Sequence, residues 1–221
     1  MKEKFIVLDV EGYSTARPYN IGYIVADNAG RIYRKRSFAF PETIWENIKE
    51  LIRTRQAEEM TKANIEEILQ DIKNKRRKRK YTITSIKTFE KIFLVDIKKY
   101  KISKMYAYNV NFDKNALGRL LGYIPELEYR DIISGILDAR LKTKKYVDFC
   151  ESRGYITEKG NIQTKAEVVY RYLTGCLDFV EEHTGLADVM IEYYILLTAF
   201  NSHTKINWSP RSAWRELNKI R

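Results

Sequence analysis

Phe5-Ile6-Val7-Leu8-Asp9-Val10-Glu11 sets four apolar residues in a row ahead of two carboxylates separated by one valine. An unbroken apolar run of this length fits a strand covered on both faces, at the centre of a sheet. Alternate side chains of a strand share a face, so Asp9 and Glu11 project together and Val10 projects opposite. Like charges side by side at the end of a buried strand repel each other and resist desolvation. A divalent cation compensates such a pair, and oxygen ligands of this kind suit Mg²⁺ or Mn²⁺. The competing reading is a strand that ends in solvent with two ordinary acids.

Outward from this stretch, Gly12 to Tyr19 is a loop containing Pro18, and Asn20 to Ala26 reads as a second strand. Asp27-Asn28-Ala29-Gly30 has hairpin-turn chemistry, since Asn and Gly tolerate positive φ. Arg31 to Phe40 returns as a third strand that alternates Tyr, Phe and Ile with Arg and Lys, and Pro41 ends it. The chain therefore opens with an antiparallel meander whose first strand carries the acids.

From Ile44 the apolar period lengthens. Trp45, Ile48 and Ile52 fall at helical spacing, as do Ile65, Ile68, Leu69 and Ile72 behind a cap at Thr61. The second helix runs into Lys73-Asn74-Lys75-Arg76-Arg77-Lys78-Arg79-Lys80, which reads either as a solvated surface or as an electrostatic arm on a phosphate backbone. A nuclear localisation signal is a third reading that nothing else supports. Phe89, Ile92, Phe93, Val95 and Ile97 predict a further helix, and Met105-Tyr106-Ala107-Tyr108-Asn109 predicts a strand. Asn111-Phe112-Asp113 leads into a helix over Lys114 to Leu121, with Gly122 as its cap.

Tyr129 to Ile133 reads as the last strand, and Asp138 to Glu151 as a helix. Lys165 to Tyr172 is expected to be helical behind the capping box Thr164-Lys165-Ala166-Glu167, stopping at Gly175. Leu186 to Ala199 is a long apolar helix, and the tail from Asn201 to Arg221 is basic, with Trp208 and Trp214. This order predicts an α/β fold: a mixed sheet of three antiparallel strands plus two parallel ones, with helices on both faces and the first strand central. No repeat or linker interrupts it. A single domain over 1–221 is expected, with a basic helical insert at about 44–100 and a basic tail at about 201–221.

Composition narrows the partners. The chain carries 40 Lys+Arg against 29 Asp+Glu, a formal net charge of +11. That surplus favours a polyanion, with nucleic acid ahead of an anionic membrane surface. No apolar run of about 18 residues is present. Asp9 and Glu11 interrupt any signal-peptide pattern. Cys150 and Cys176 lack metal-ligand spacing and read as reduced, buried thiols of a cytoplasmic protein. Only two histidines, His183 and His203, are available, which argues against a multi-histidine zinc site.

Three short stretches bear on chemistry: Asp9-x-Glu11, then Tyr108-Asn109-Val110-Asn111-Phe112-Asp113 where a strand meets a helix, then His183-Thr184-Gly185-Leu186-Ala187-Asp188 entering a helix. Singly, Asp113 reads as a helix N-cap, Asp188 as a first-turn acid favoured by the helix dipole, and His183 as a surface residue. In this order and spacing, over roughly residues 4–200, they resemble the DEDDh family of 3′→5′ exonucleases, the DnaQ-like group of the ribonuclease-H-like fold. Tyr106-Ala107-Tyr108-Asn109 and the stretch from Thr164 to Gly175 are similar to phage-encoded members, whose setting would be the bacterial host cytoplasm. The sister subgroup has Tyr where Thr184 stands, so the histidine version applies.

The resemblance implies a ligand set of Asp9, Glu11, Asp113 and Asp188 for two divalent cations, Mg²⁺ or Mn²⁺, with His183 as the general base. Two ions about 4 Å apart clamp the attacking and leaving oxygens of an in-line phosphoryl displacement. By motif position, substrate contacts fall to Val10, Gly12, Tyr13, Asn109 and Phe112. Gly12 and Tyr13 replace the Thr and small residue of many relatives, and a tyrosine there can stack on a base. The implied activity is removal of nucleoside 5′-monophosphates from single-stranded or frayed DNA 3′ ends. An exoribonuclease acting on RNA 3′ ends is equally compatible with these residues, and a non-catalytic nucleic-acid-binding or polymerase accessory subunit is the alternative of another class.

Overall fold

The computed structural model describes residues 3–12, 18–44, 70, 74, 81–182 and 184–221. The stretches around Trp45, Ile48, Ile52, Ile65 and Ile72, the cap at Thr61 and the run Lys73–Lys80 lie outside the described residues, apart from Gln70 and Asn74, which are helical.

Six strands form one mixed sheet: β1 (Lys4–Glu11), β2 (Asn20–Asp27), β3 (Ile32–Ala39), β4 (Thr82–Ile83), β5 (Lys104–Ala107) and β6 (Glu128–Asp131). Their spatial order is β4-β3-β2-β1-β5-β6. β2 runs antiparallel to both β1 and β3, whereas β4 runs parallel to β3, β5 to β1 and β6 to β5. β1 is central, as its apolar run predicts. The addition to the expected sheet is β4, a two-residue strand on the far edge with no apolar pattern of its own.

The meander closes as its turn chemistry predicts. Asp27 Oδ1 accepts the backbone N–H groups of Ala29 (2.9 Å) and Arg31 (3.1 Å), and Gly30 supplies a φ of 87°. The register then sets Asp9 opposite Gly22 and Glu11 opposite Asn20.

Helices cover both faces. Those whose full span is described include α1 (Ile86–Tyr100), α2 (Val110–Leu121), α3 (Ile132–Ile136), α4 (Lys144–Ser152), α5 (Ala166–Thr174), α6 (Gly185–Phe200) and α7 (Ala213–Asn218). The alternation of β1 splits the interior in two. Phe5 and Val7 pack with Ile132, Ile136, Ile195 and Leu196 on the α3–α6 side. Ile6, Leu8 and Val10 pack with Phe89, Phe93 and Leu117 on the α1–α2 side. Fully burying each such side chain contributes roughly 1.5–3 kcal/mol.

On α1, Phe89 and Phe93 are buried one turn apart, together with Asp96, which accepts hydrogen bonds from Tyr23 Oη (2.9 Å) and Arg36 Nε (3.2 Å). That stripe turns Val95, expected with the apolar side, to 55% exposure.

Four other expectations are corrected. The last strand stops at Asp131, because the Asp131 carboxylate accepts the Ser134 N–H (3.0 Å) and starts α3, so Ile132 and Ile133 are helical. The helix over Asp138–Glu151 is broken: a π-helical turn at Leu137–Leu141 gives way to a new start at Thr143, whose hydroxyl accepts the Tyr146 N–H. The capping box does not form. Lys165 is the N-cap of α5 and makes no side-chain cap bond, while Glu167 pairs with Arg171 at 2.7 Å. Cys150 is buried, but Cys176 is exposed just past the left-handed Gly175. Among the described residues, no helix is long and apolar enough to cross a membrane.

Candidate metal centre

Asp9 and Glu11 lie at the C-terminal end of β1, beside the ends of β5 and β6. Sites of open α/β sheets occupy this edge, where neighbouring connections diverge. Both acids are half-buried and share the face of Phe5 and Val7, the face that α6 covers. α6 brings Asp188 to the same place, and ligand oxygens of Asp9, Glu11 and Asp188 all lie within 4.8 Å of one another.

A backbone contact with no room for a side chain delivers Asp188. A Cβ on Gly22 would stand 2.0 Å from the carbonyl carbon of Gly185 and 2.1 Å from Leu186 N. On Gly185 it would stand 2.5 Å from Gly22 N and 3.1 Å from the Asp9 carbonyl oxygen. The start of α6 is thus pressed against β2 at the residue opposite Asp9. Asn20, 2% exposed, locks the contact: its Oδ1 accepts the Gly185 N–H (2.9 Å) and its Nδ2 donates to the Phe38 carbonyl (2.6 Å). Thr184 completes the helix start by accepting the Ala187 N–H.

Asp113 arrives from the opposite face, on α2. It is not the N-cap: that position is Asn109, with a left-handed φ of 102°, and Asp113 stands inside the first turn. β5 pairs with β1 only at Ile6 and Val7, so Val10 extends past that ladder. The Asp113 carboxylate accepts the Val10 N–H at 3.2 Å. Asp113 is buried behind the Asp9–Glu11–Asp188 cluster and does not share its 4.8 Å grouping.

The electrostatics are those of a crowded anionic pocket. Burial, then the charges of Asp113, Glu11 and Asp188, drives the Asp9 carboxyl well above the ordinary range. Burial also pushes Asp113 up to about 8, against the opposing Val10 hydrogen bond. Among the described residues no salt bridge reaches Asp9, Glu11 or Asp113, and Asp9 Oδ2 is buried without a hydrogen-bond partner. A buried carboxylate oxygen left unpaired costs free energy that a cation would recover. The donor set is all oxygen, which fits Mg²⁺ or Mn²⁺.

Two residues that shape the site escape the sequence reading. Glu192 follows Asp188 by one helical turn on α6 and is 4% exposed, with Oε2 lacking a partner. Burial, then the charges of Asp9, Asp113 and Asp188, raises its carboxyl. Its signal was an acid four residues past Asp188 within an otherwise apolar helix. The second is Asp131, whose Oδ1 accepts the N–H groups of Asn109 (3.2 Å) and Val110 (3.1 Å) while Oδ2 caps α3. One carboxylate therefore orients the start of both α2 and α3, and no local pattern announces it.

Of the residues expected to touch substrate, Asn109 stands at the β5–α2 turn, Gly12 follows β1, and Phe112 is 40% exposed on the first turn of α2. Val10 turns its side chain into the α1–α2 core, so what it offers the site is its N–H to Asp113. Tyr13 and His183 lie outside the described residues. No family model and no curated protein matches this chain.

Proposed function

We propose that this chain is a metal-dependent 3′→5′ exonuclease of the DEDDh type, built as a single ribonuclease-H-like domain and acting on single-stranded or frayed DNA 3′ ends. The observation that carries the reading is the convergence of Asp9, Glu11 and Asp188 within 4.8 Å, with Asp9 Oδ2 buried and unpartnered. Asp9, Glu11 and Asp188 would hold a divalent ion, and Asp113 would act from behind Val10. When bound, Mg²⁺ or Mn²⁺ supplies charge stabilisation of a phosphodiester and an acidified water. The protein's part is to fix the carboxylates, through the Gly22–Gly185 contact and the Val10–Asp113 bond, before substrate arrives. His183, which precedes the Thr184 cap in the chain, is proposed as the proton acceptor on its motif position. The net charge of +11 supports a polyanionic substrate.

The test is incubation of 3′- and 5′-labelled DNA and RNA strands with Mg²⁺, Mn²⁺ or EDTA, alongside calorimetric titration of Mn²⁺. Stepwise shortening from the 3′ end, abolished by EDTA and by Asp9→Asn, is expected. The same substitution should weaken Mn²⁺ binding without unfolding the protein. Turnover that survives EDTA would refute the reading.

A further inference from the structure

A cleft of about 940 Å³ opens beside the metal centre, at the same C-terminal edge of β5 and β6. Three separate parts of the chain wall it: the start of α2 with Asn109 and Asn111, the 157–165 loop with Lys159 and Lys165, and the start of α7 with Trp214. Resting on the exonuclease reading, we propose that this cleft is the path of the single strand behind the nucleotide being removed, with Lys159 and Lys165 on phosphate and Trp214 against a base.

Three observations carry it. The cleft and the metal centre share α2, since Asn109 and Asn111 line the one and Asp113 serves the other. Asp131 already holds the first N–H groups of α2, so contacts to an anion in the cleft fall to the side chains of its wall. Lys159 and Lys165 are exposed, and neither has an ion-pair partner among the described residues. Arg211, by contrast, also lines the cleft but is held by Asp138 (2.6 Å) and Glu216 (3.3 Å), so it stiffens the wall. Trp214 is 37% exposed, with the Arg215 guanidinium 5.2 Å from its ring centroid. Among the described residues of the lining, Glu158 is the exposed acid, set against the two free ammonium groups. A groove that pairs cationic side chains with an aromatic platform is how single strands are held without sequence preference. An acidic peptide would use the lysines but has no need of the indole.

Fluorescence anisotropy in Ca²⁺, with a strand of about twelve nucleotides and with a dinucleotide, reads this out. Trp214→Ala should weaken the longer strand about five- to a hundredfold, and Trp214→Phe should restore most of it. Lys159→Glu with Lys165→Glu, both on the surface, should lower the log–log salt slope by about 0.7 for each phosphate no longer neutralised. The ratio of long-strand to dinucleotide affinity should fall in each case. Lys91→Glu, on the exposed side of α1, is the charge control and should leave that ratio as in the wild type.

Strand binding and salt slope that survive all three cleft substitutions would overturn the inference while leaving metal-dependent cleavage standing. Cleft-dependent binding in a wild type that cleaves nothing would keep the inference and sink the exonuclease reading. Poly-glutamate held as tightly as DNA, with the same dependence on Trp214, would overturn the nucleic-acid assignment.

Discussion

α2 brings Asp113, and α6 brings Asp188 and Glu192, to the end of β1, from opposite faces and by different means. α2 is placed by hydrogen bonds at a turn: Asn109 turns the chain with a φ of 102°, Asp131 accepts the first N–H groups, and Asp113 accepts the Val10 N–H. α6 is placed by a contact spanning most of the chain, Gly185 on Gly22, with Asn20 bridging the two. A hydrogen-bonded helix start can relax by a few tenths of an ångström when one partner changes. A backbone-on-backbone contact cannot, because nothing lies between the chains to give way. The α6 side is therefore expected to be the brittle half of the centre and the α2 side the forgiving one.

The largest effect should come from Gly22→Ala. A methyl group 2.0 Å from the Gly185 carbonyl carbon forces α6 off β2, at a cost of about 3 kcal/mol or more. Urea unfolding should show it, and Mn²⁺ calorimetry should show weaker binding because Asp188 moves with the helix. An unchanged midpoint and affinity would mean that the glycine contact does not place α6.

Asn20→Ala tests the bridge without adding bulk. It leaves the Gly185 N–H and the Phe38 carbonyl buried and unpaired, which should cost about 2 kcal/mol or more in the same unfolding experiment. Asn20→Asp, which keeps the acceptor for Gly185 but loses the donor to Phe38, should fall between wild type and Asn20→Ala at neutral pH.

The acids themselves set the pH dependence. Asp113 has its folded pKa raised to about 8 from an ordinary value of 3.8. Between those values the folded state binds more protons than the unfolded one, so without divalent ions stability should fall as pH rises from about 4 to about 8. The slope for one proton is at most about 1.4 kcal/mol per pH unit. Mn²⁺ should reverse the trend at the alkaline end, where the carboxylates are ionised. Melting scans across that range, with and without Mn²⁺, measure it, and Asp113→Asn should flatten the metal-free slope. A metal-free protein that gains stability toward pH 8 would contradict the raised Asp113 carboxyl.

The smallest effect belongs to Asn109. Its left-handed backbone favours Gly and Asn over other residues, so Asn109→Ala should cost about 1 kcal/mol and Asn109→Gly almost nothing. If Asn109→Ala proved as damaging as Gly22→Ala, the two helix placements would be equally brittle and the contrast would fail.

What could be read from residues alone were features governed by neighbours in the chain. The apolar run Phe5–Leu8 announces a covered central strand, because only a strand with apolar layers on both sides tolerates no polar position. Asp27 and Gly30 announce the hairpin, and Gly122 and Gly175 announce helix ends, because left-handed φ values are local demands. The pairing of Asp9 with Glu11 follows from the strand period, and the ordered motifs marked Asp113 and Asp188.

Tertiary structure decided the rest. Gly22 and Gly185 carry no local signature of each other, yet their missing side chains set where α6 can lie. Asp131 sits in a strand pattern and acts as the cap of two helices. Glu192 becomes part of the anionic pocket only once α6 is pressed on β2, so that one turn of helix beyond Asp188 still faces Asp9. Periodicity reports which face a side chain takes within its own element. Which faces then meet depends on close packing between residues far apart in the chain, and that is where this centre is assembled.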